Sequence, residues 1–89
     1  MQELAVTFTP ANGGPPQEIT LRIGTPTRDG TSWSSLVKVS GFRKSLELPA
    51  LGADWAQTVE LAAKMLPVML ARKVHEAGGG TVDPPFYER

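Results

Sequence analysis

The sequence predicts an α+β fold, a four-stranded antiparallel β-meander packed on one long C-terminal helix. Two observations carry this. Up to residue 48 the apolar residues recur at every second position in four short runs, separated by Gly-, Pro- and Asn-rich turns. From Asp54 onward the period becomes that of a helix and persists to Glu76. No internal repeat interrupts this order.

The first run, "QELAVTFTP", puts Leu4, Val6 and Phe8 on one face and Ala5, Thr7 and Thr9 on the other, and Pro10 ends it. "ANGGPP" is a turn, because Asn-Gly and Gly-Gly admit positive φ and Pro-Pro blocks pairing. "QEITLRIG" alternates again, with Ile19, Leu21 and Ile23 inward. After "TPTRDGTS", whose tight turn is Asp29-Gly30, "WSSLVKVSG" sets Trp33, Val37 and Val39 in one register. Leu36 is out of phase, so that strand is either buried on both faces or bulged. "FRKSLELP" supplies the fourth strand, with Phe42, Leu46 and Leu48 on one face and Pro49 as its end. The expected strands are 2–9, 17–24, 33–40 and 43–48.

The helix is expected over 54–76. Asp54 is a good N-cap, Gln57 three residues later completes a capping box, and Gly52 gives a sharp entry. Basic residues in the last turns suit the carbonyl end, and "AGGG" terminates the helix. Residues 1–80 therefore form a single β-β-β-β-α domain. Residues 81–89, "TVDPPFYER", are a tail, either frayed or docked as a short arm.

"IGTP" after the second strand and "LGADWAQTVELAAKML" at the helix resemble a bacterial family of small domains of unknown function. The matching residues are Gly24 and Pro26, a Gly-x-Pro, and Gly52, Asp54 and Gln57, a Gly-x-Asp-x-x-Gln. The resemblance spans roughly residues 18–70. Trp55 at the first helical position and the Gly-rich end depart from the pattern. The family carries no assigned activity, so the resemblance implies the fold and leaves function open.

Composition narrows the classes. The 89 residues include no Cys, which removes disulfide scaffolds, thiolate metal sites and Cys nucleophiles and fits a reducing cytosol. Residues 1–9 lack a basic start followed by an apolar run, so no secretory signal is read, and the location expected is cytoplasmic. Nine Lys plus Arg balance nine Asp plus Glu, whereas nucleic-acid binders usually carry a basic excess. The longest mostly apolar segment, Val59 to Leu70, contains Glu60, Lys64 and Pro67 and is too short to span a bilayer.

The residues for catalysis are scattered. The one His, His75, has no neighbours spaced as metal ligands, and Arg72 at i−3 would repel a cation. No Ser lies in a G-x-S-x-G elbow. The Gly run 78–80 follows a helix, whereas anion-binding glycines precede one. No cofactor and no enzymatic activity are expected.

The helix is the informative element. Trp55, Val59, Ala62, Leu66, Met69 and Leu70 form the centre of its apolar face. Leu61, Met65 and Val68 form a second apolar stripe to one side, with Arg72 at its C-terminal end. The apolar arc is about twice the roughly 100° of an ordinary surface helix. Three covers are open for that stripe: the tail, through Val82, Phe86 and Tyr87; a strongly curved sheet; or a protein partner, another protein or a second copy. Pro67 inside the helix costs about 3 kcal/mol and is read as a shape device on the flank of the polar strip.

These readings lead to a non-enzymatic protein-interaction domain that acts by surface occlusion. Its partner-binding residues are Leu61, Met65, Val68 and Arg72. An immunity protein or antitoxin of a bacterial toxin system is the concrete form, with an adaptor or chaperone equivalent at this level. The alternative is a small-ligand or nucleic-acid binding module that uses the outer sheet face through Arg22, Lys38, Arg43 and Lys44.

Overall fold

The computed structural model of the chain describes residues 2–84. Its elements are β1 (Gln2–Pro10), β2 (Gln17–Ile23), β3 (Thr27–Asp29), β4 (Ser32–Ser40), β5 (Leu46–Gly52), α1 (Trp55–Glu76) and β6 (Gly80–Asp83). The class is α+β, as the change of period predicts. Four strands are predicted and six form, all paired antiparallel in one sheet.

The two additional strands have separate causes. β3 is three exposed residues, too short to carry a period of two. It pairs Ser32–Ser34 of β4, while β2 pairs Val37–Ser40 on the same side of β4. β3 therefore continues the line of β2 after a break at residues 24–26. Gly24 spans that break: its N–H donates to the Leu36 carbonyl at 2.8 Å and its carbonyl accepts from Ser35 Oγ at 2.6 Å. The Asp29-Gly30 turn forms as read, with Gly30 at φ +66°. β6 comes from residues expected at the end of the domain and the start of the tail, and it pairs Thr7–Pro10 of β1. Phe86 and Tyr87 lie outside the described residues.

The fourth expected strand is displaced. β5 starts at Leu46, later than residue 43, and runs through Pro49 to Gly52. The proline is tolerated because β5 pairs only β4 and so lies at an edge. The β4–β5 register is continuous from Trp33↔Gly52 to Val39↔Leu46, so Leu36 lies in no bulge. It is exposed on the outer face, opposite Pro49.

Across the sheet the order is β5-β4-β2-β1-β6. Inward residues align in rows such as Leu4–Leu21–Val39–Leu46. Val6, Phe8, Ile19, Leu21, Val37, Val39 and Ala50 form the sheet side of the core. Phe42, half-buried in the β4–β5 loop, packs on Phe8 with ring centroids 5.1 Å apart. A fully buried side chain such as Leu70 or Ile19 contributes about 1.5–3 kcal/mol.

The helix enters by a dense local network. Asp54 Oδ1 accepts from the Gln57 N–H at 2.7 Å. Gln57 Oε1 in turn accepts from the N–H of Ala53 at 2.6 Å, one residue before the position a capping box would use. Thr58 is fully buried, and its Oγ1 donates to the Asp54 carbonyl at 2.8 Å. A Cβ at Gly52 would collide with Thr58 Oγ1 and lie 2.8 Å from the Thr58 nitrogen, so only glycine lets β5 end this close to the helix.

The helix runs back over β4 and β5 and ends near β1, where the Ala11 N–H donates to the Gly79 carbonyl at 3.0 Å. Its buried residues are Thr58, Ala62, Leu66, Met69, Leu70, Lys73 and Val74. Trp55 is expected in the sheet-facing arc but is 53% exposed, because the first turn lies at the margin of the sheet. Val59 is half-buried. Pro67 lies in an unbroken 22-residue helix, and Ala63, whose carbonyl loses its i+4 donor, is exposed to water.

Asp54→Ala should lower stability by about 0.5–2 kcal/mol, and Gly52→Ala by about 1–3 kcal/mol through overpacking against Thr58. Denaturant titration of each variant measures this. A Gly52→Ala protein as stable as the parent would show that the helix entry has room to relax.

Candidate functional site

Helix α1 covers β4 and β5, and its two flanks meet the sheet differently. The flank toward β5 carries the second apolar stripe. Leu61 is 38% exposed and Val68 69% exposed. The Arg72 side chain also projects into solvent. Met65 departs from this set, because it is half-buried and packs against the core. The reason is angular: about 100° per residue sets Met65 nearest the buried face, beside Ala62 and Met69.

Leu61 does not stand alone. With Leu51 of β5, Gln57, Glu60 and Lys64 it lines a shallow groove of about 300 Å³. Leu51 is 62% exposed. Sequence reasoning misses it because Pro49 is read as the end of the strand. The available signal is the alternation Glu47, Pro49, Leu51, which continues the outward face of β5. Leu36 and Pro49 are directly paired, and Leu51 lies two residues beyond Pro49 on the same face. The apolar surface thus wraps from the outer sheet face over the β5 edge to α1.

Val82 cannot cover this stripe. It is buried opposite Phe8 in β6, and β4, β2 and β1 separate that strand from β5.

The other flank leaves a second apolar groove of about 560 Å³, lined by Leu4, Leu21, Ile23, Ala63 and Leu66 with Gln2 and Glu3 at its rim. Leu4 has the inward parity of Val6 and Phe8 but remains exposed, because the helix does not reach that corner. Among the described residues β6 pairs β1 only over Thr7–Pro10.

The four basic residues assigned to the outer face separate. Arg22 and Lys38 are there, in the cross-strand row Glu3–Arg22–Lys38–Glu47. Arg22 Nη2 is 2.7 Å from Glu3 Oε2, so that charge is already matched. Arg43 and Lys44 lie instead in the β4–β5 loop, facing the C-terminal end of α1. There Glu76 accepts from Lys73 at 3.0 Å and from Arg72 at 3.3 Å. The hydrogen bond from Lys73, helped by the charges of Lys73 and Arg72, holds the Glu76 carboxyl below its ordinary pKa.

Among the described residues no group of three or more His, Asp or Glu could hold a metal ion. No helix is long and apolar enough to cross a membrane.

A family model, the domain of unknown function DUF6968, matches residues 5–83. The chain belongs to this family. The match runs from β1 through β6 and exceeds the 18–70 span of the motif resemblance. Of the residues that carry the motif resemblance, four have visible structural jobs, Gly24 at the β2–β3 break and Gly52, Asp54 and Gln57 at the helix entry. A search of the curated proteins finds no match, and neither does a search of the solved structures.

Met65→Glu should destabilise the domain, because it forces a charge against the core. Val68→Glu, at an exposed position, should change stability by less than about 0.5 kcal/mol. Paired thermal melts test the contrast. The lowered Glu76 pKa sets a sign for pH: the Glu76 contribution is complete above the ordinary glutamate range and is lost as pH falls through the lower folded value. Glu76→Gln should flatten that part of the acid-stability profile.

Proposed function

We propose that the domain is a non-enzymatic protein-interaction module that works by surface occlusion. The observation that carries the reading is the exposed apolar surface made by Leu36, Pro49 and Leu51 of the sheet with Leu61 and Val68 of the helix. Fully desolvating a large aliphatic side chain contributes about 1.5–3 kcal/mol, so a few of them supply a specific contact.

The edge of β5 constrains how a partner is held. Pro49 has no N–H, and it sits in the middle of β5, which among the described residues pairs only β4. A partner strand added there would lose a ladder bond. Recognition at this surface therefore proceeds through side chains. Arg72 and Lys64 supply charges beside the apolar strip, and Met65 supports it from below.

An immunity protein or antitoxin acting on a toxin-like partner in a bacterial cytosol is the concrete form of this proposal. A homodimer through the same surface is its simplest variant. The double variant Leu61→Glu, Val68→Glu should fold as the parent does and lose association. The measurements are a thermal melt, a light-scattering mass, and recovery of partners from native cells with both proteins. A double variant that retains the parent's mass and the parent's partners would overturn the reading. Association through this surface should also persist at high salt, whereas phosphate-dominated binding would fall steeply.

A further inference from the structure

At the opposite end of α1 from the Leu51–Leu61 groove, a cleft of about 440 Å³ opens between the β4–β5 loop and the last helical turn. Phe42, Arg43, Lys44, Lys73, Glu76 and Ala77 line it. We propose that this cleft binds a small organic phosphate, a phosphate monoester carried on a flat apolar group.

The charge is concentrated there against the composition. The chain as a whole is neutral. The cleft lining carries three cations against one carboxylate, a net charge of plus two (3 − 1 = 2). The carbonyl end of α1 borders the same cleft and adds about −0.5, so the lining stays cationic by about +1.5, against the roughly −1.5 to −2 of a phosphate monoester near neutral pH. Helix polarity explains part of the cluster, since Lys73 lies in the last turn where the carbonyl end favours cations. It does not explain Arg43 and Lys44. They come from a different element, are exposed, and make no ion pair among the described residues.

Lys73 is the buried member, with 10% of its side chain exposed. An ammonium group has three donors, and among the described residues Lys73 uses one, on Glu76. Glu76 is also held by Arg72, at 3.3 Å. An entering phosphate can therefore take Lys73 while Arg72 retains the displaced carboxylate, so no charge is left unmatched. Phe42 packs on Phe8 on one side and supplies the apolar wall for the organic part of the ligand. The volume lies in the ordinary range for small-molecule sites, about 300–1,000 Å³.

The test uses phenyl phosphate and inorganic phosphate as probes, titrated at constant ionic strength and followed by amide chemical shifts. Phenyl phosphate should give saturable shifts at Phe42, Arg43, Lys44 and Lys73, with inorganic phosphate weaker at the same residues. Lys73→Gln and Arg43→Gln should each weaken binding by about tenfold, the loss of one hydrogen bond to a charged group. Glu76→Gln should tighten it, because a competing carboxylate is gone. Should Lys73→Gln fail to fold, Arg43→Gln, in an exposed loop, decides alone. Absence of saturable shifts, undiminished binding to Arg43→Gln, or an equal response to chloride would overturn the proposal.

Discussion

One helix has to cover a sheet that is five strands across. An α-helix with its side chains is about 10–12 Å wide, and five strands spaced about 4.8 Å apart place the outer strands some 19 Å from one another. The mismatch leaves surface bare, and the helix decides where by crossing obliquely. It starts where β5 ends at Gly52 and finishes beside Ala11 at the end of β1. Depressions among the described residues lie around that path, including the Leu4–Ile23 groove on the β1–β2 side, the Leu51–Leu61 groove beside β5, and the Phe42–Lys73 cleft at the helix end.

The crossing is set by the helix entry. Gly52 brings the backbone of β5 against Thr58, Asp54 caps the first turn, and Gln57 ties back to Ala53. These bonds join the strand and the helix within a few residues, so α1 has little freedom to swing over the sheet. Three of the residues that resemble the family pattern, Gly52, Asp54 and Gln57, are these same residues, and the entry geometry accounts for their spacing. The Gly24 break has a comparable role, since it lets one line of the sheet be shared by β2 and β3 against a nine-residue β4.

These three depressions differ in chemistry. The first is apolar, the second sets Leu51 and Leu61 among Gln57, Glu60 and Lys64, and the third is charged with an aromatic wall. The β5 side is protected from strand addition by Pro49, whereas its side chains remain open. That combination favours side-chain recognition of a protein surface. The charged cleft draws on the β4–β5 loop and the helix terminus, two segments that the reversal of the helix over β5 brings together.

The sequence alone determined the class, the helix with its cap, and the phase of the principal strands, because these follow from local periods and from bonds within a few residues. Asp54, Gln57, Gly52 and the alternation of Val6, Phe8, Ile19 and Leu21 are local in that sense. It also identified an excess of apolar surface on α1. Only the tertiary structure decided what that excess does. It half-buried Met65 against the core, left Leu61 and Val68 outside, exposed Trp55, and brought Leu51 into the same surface. Strands as short as β3 and β6 carry no readable period, and an edge proline reads as a stop until its position at the edge is known. The residues of the charged cleft are about thirty apart along the chain, and their meeting depends on the path of the helix over the sheet, a long-range property that no local pattern encodes.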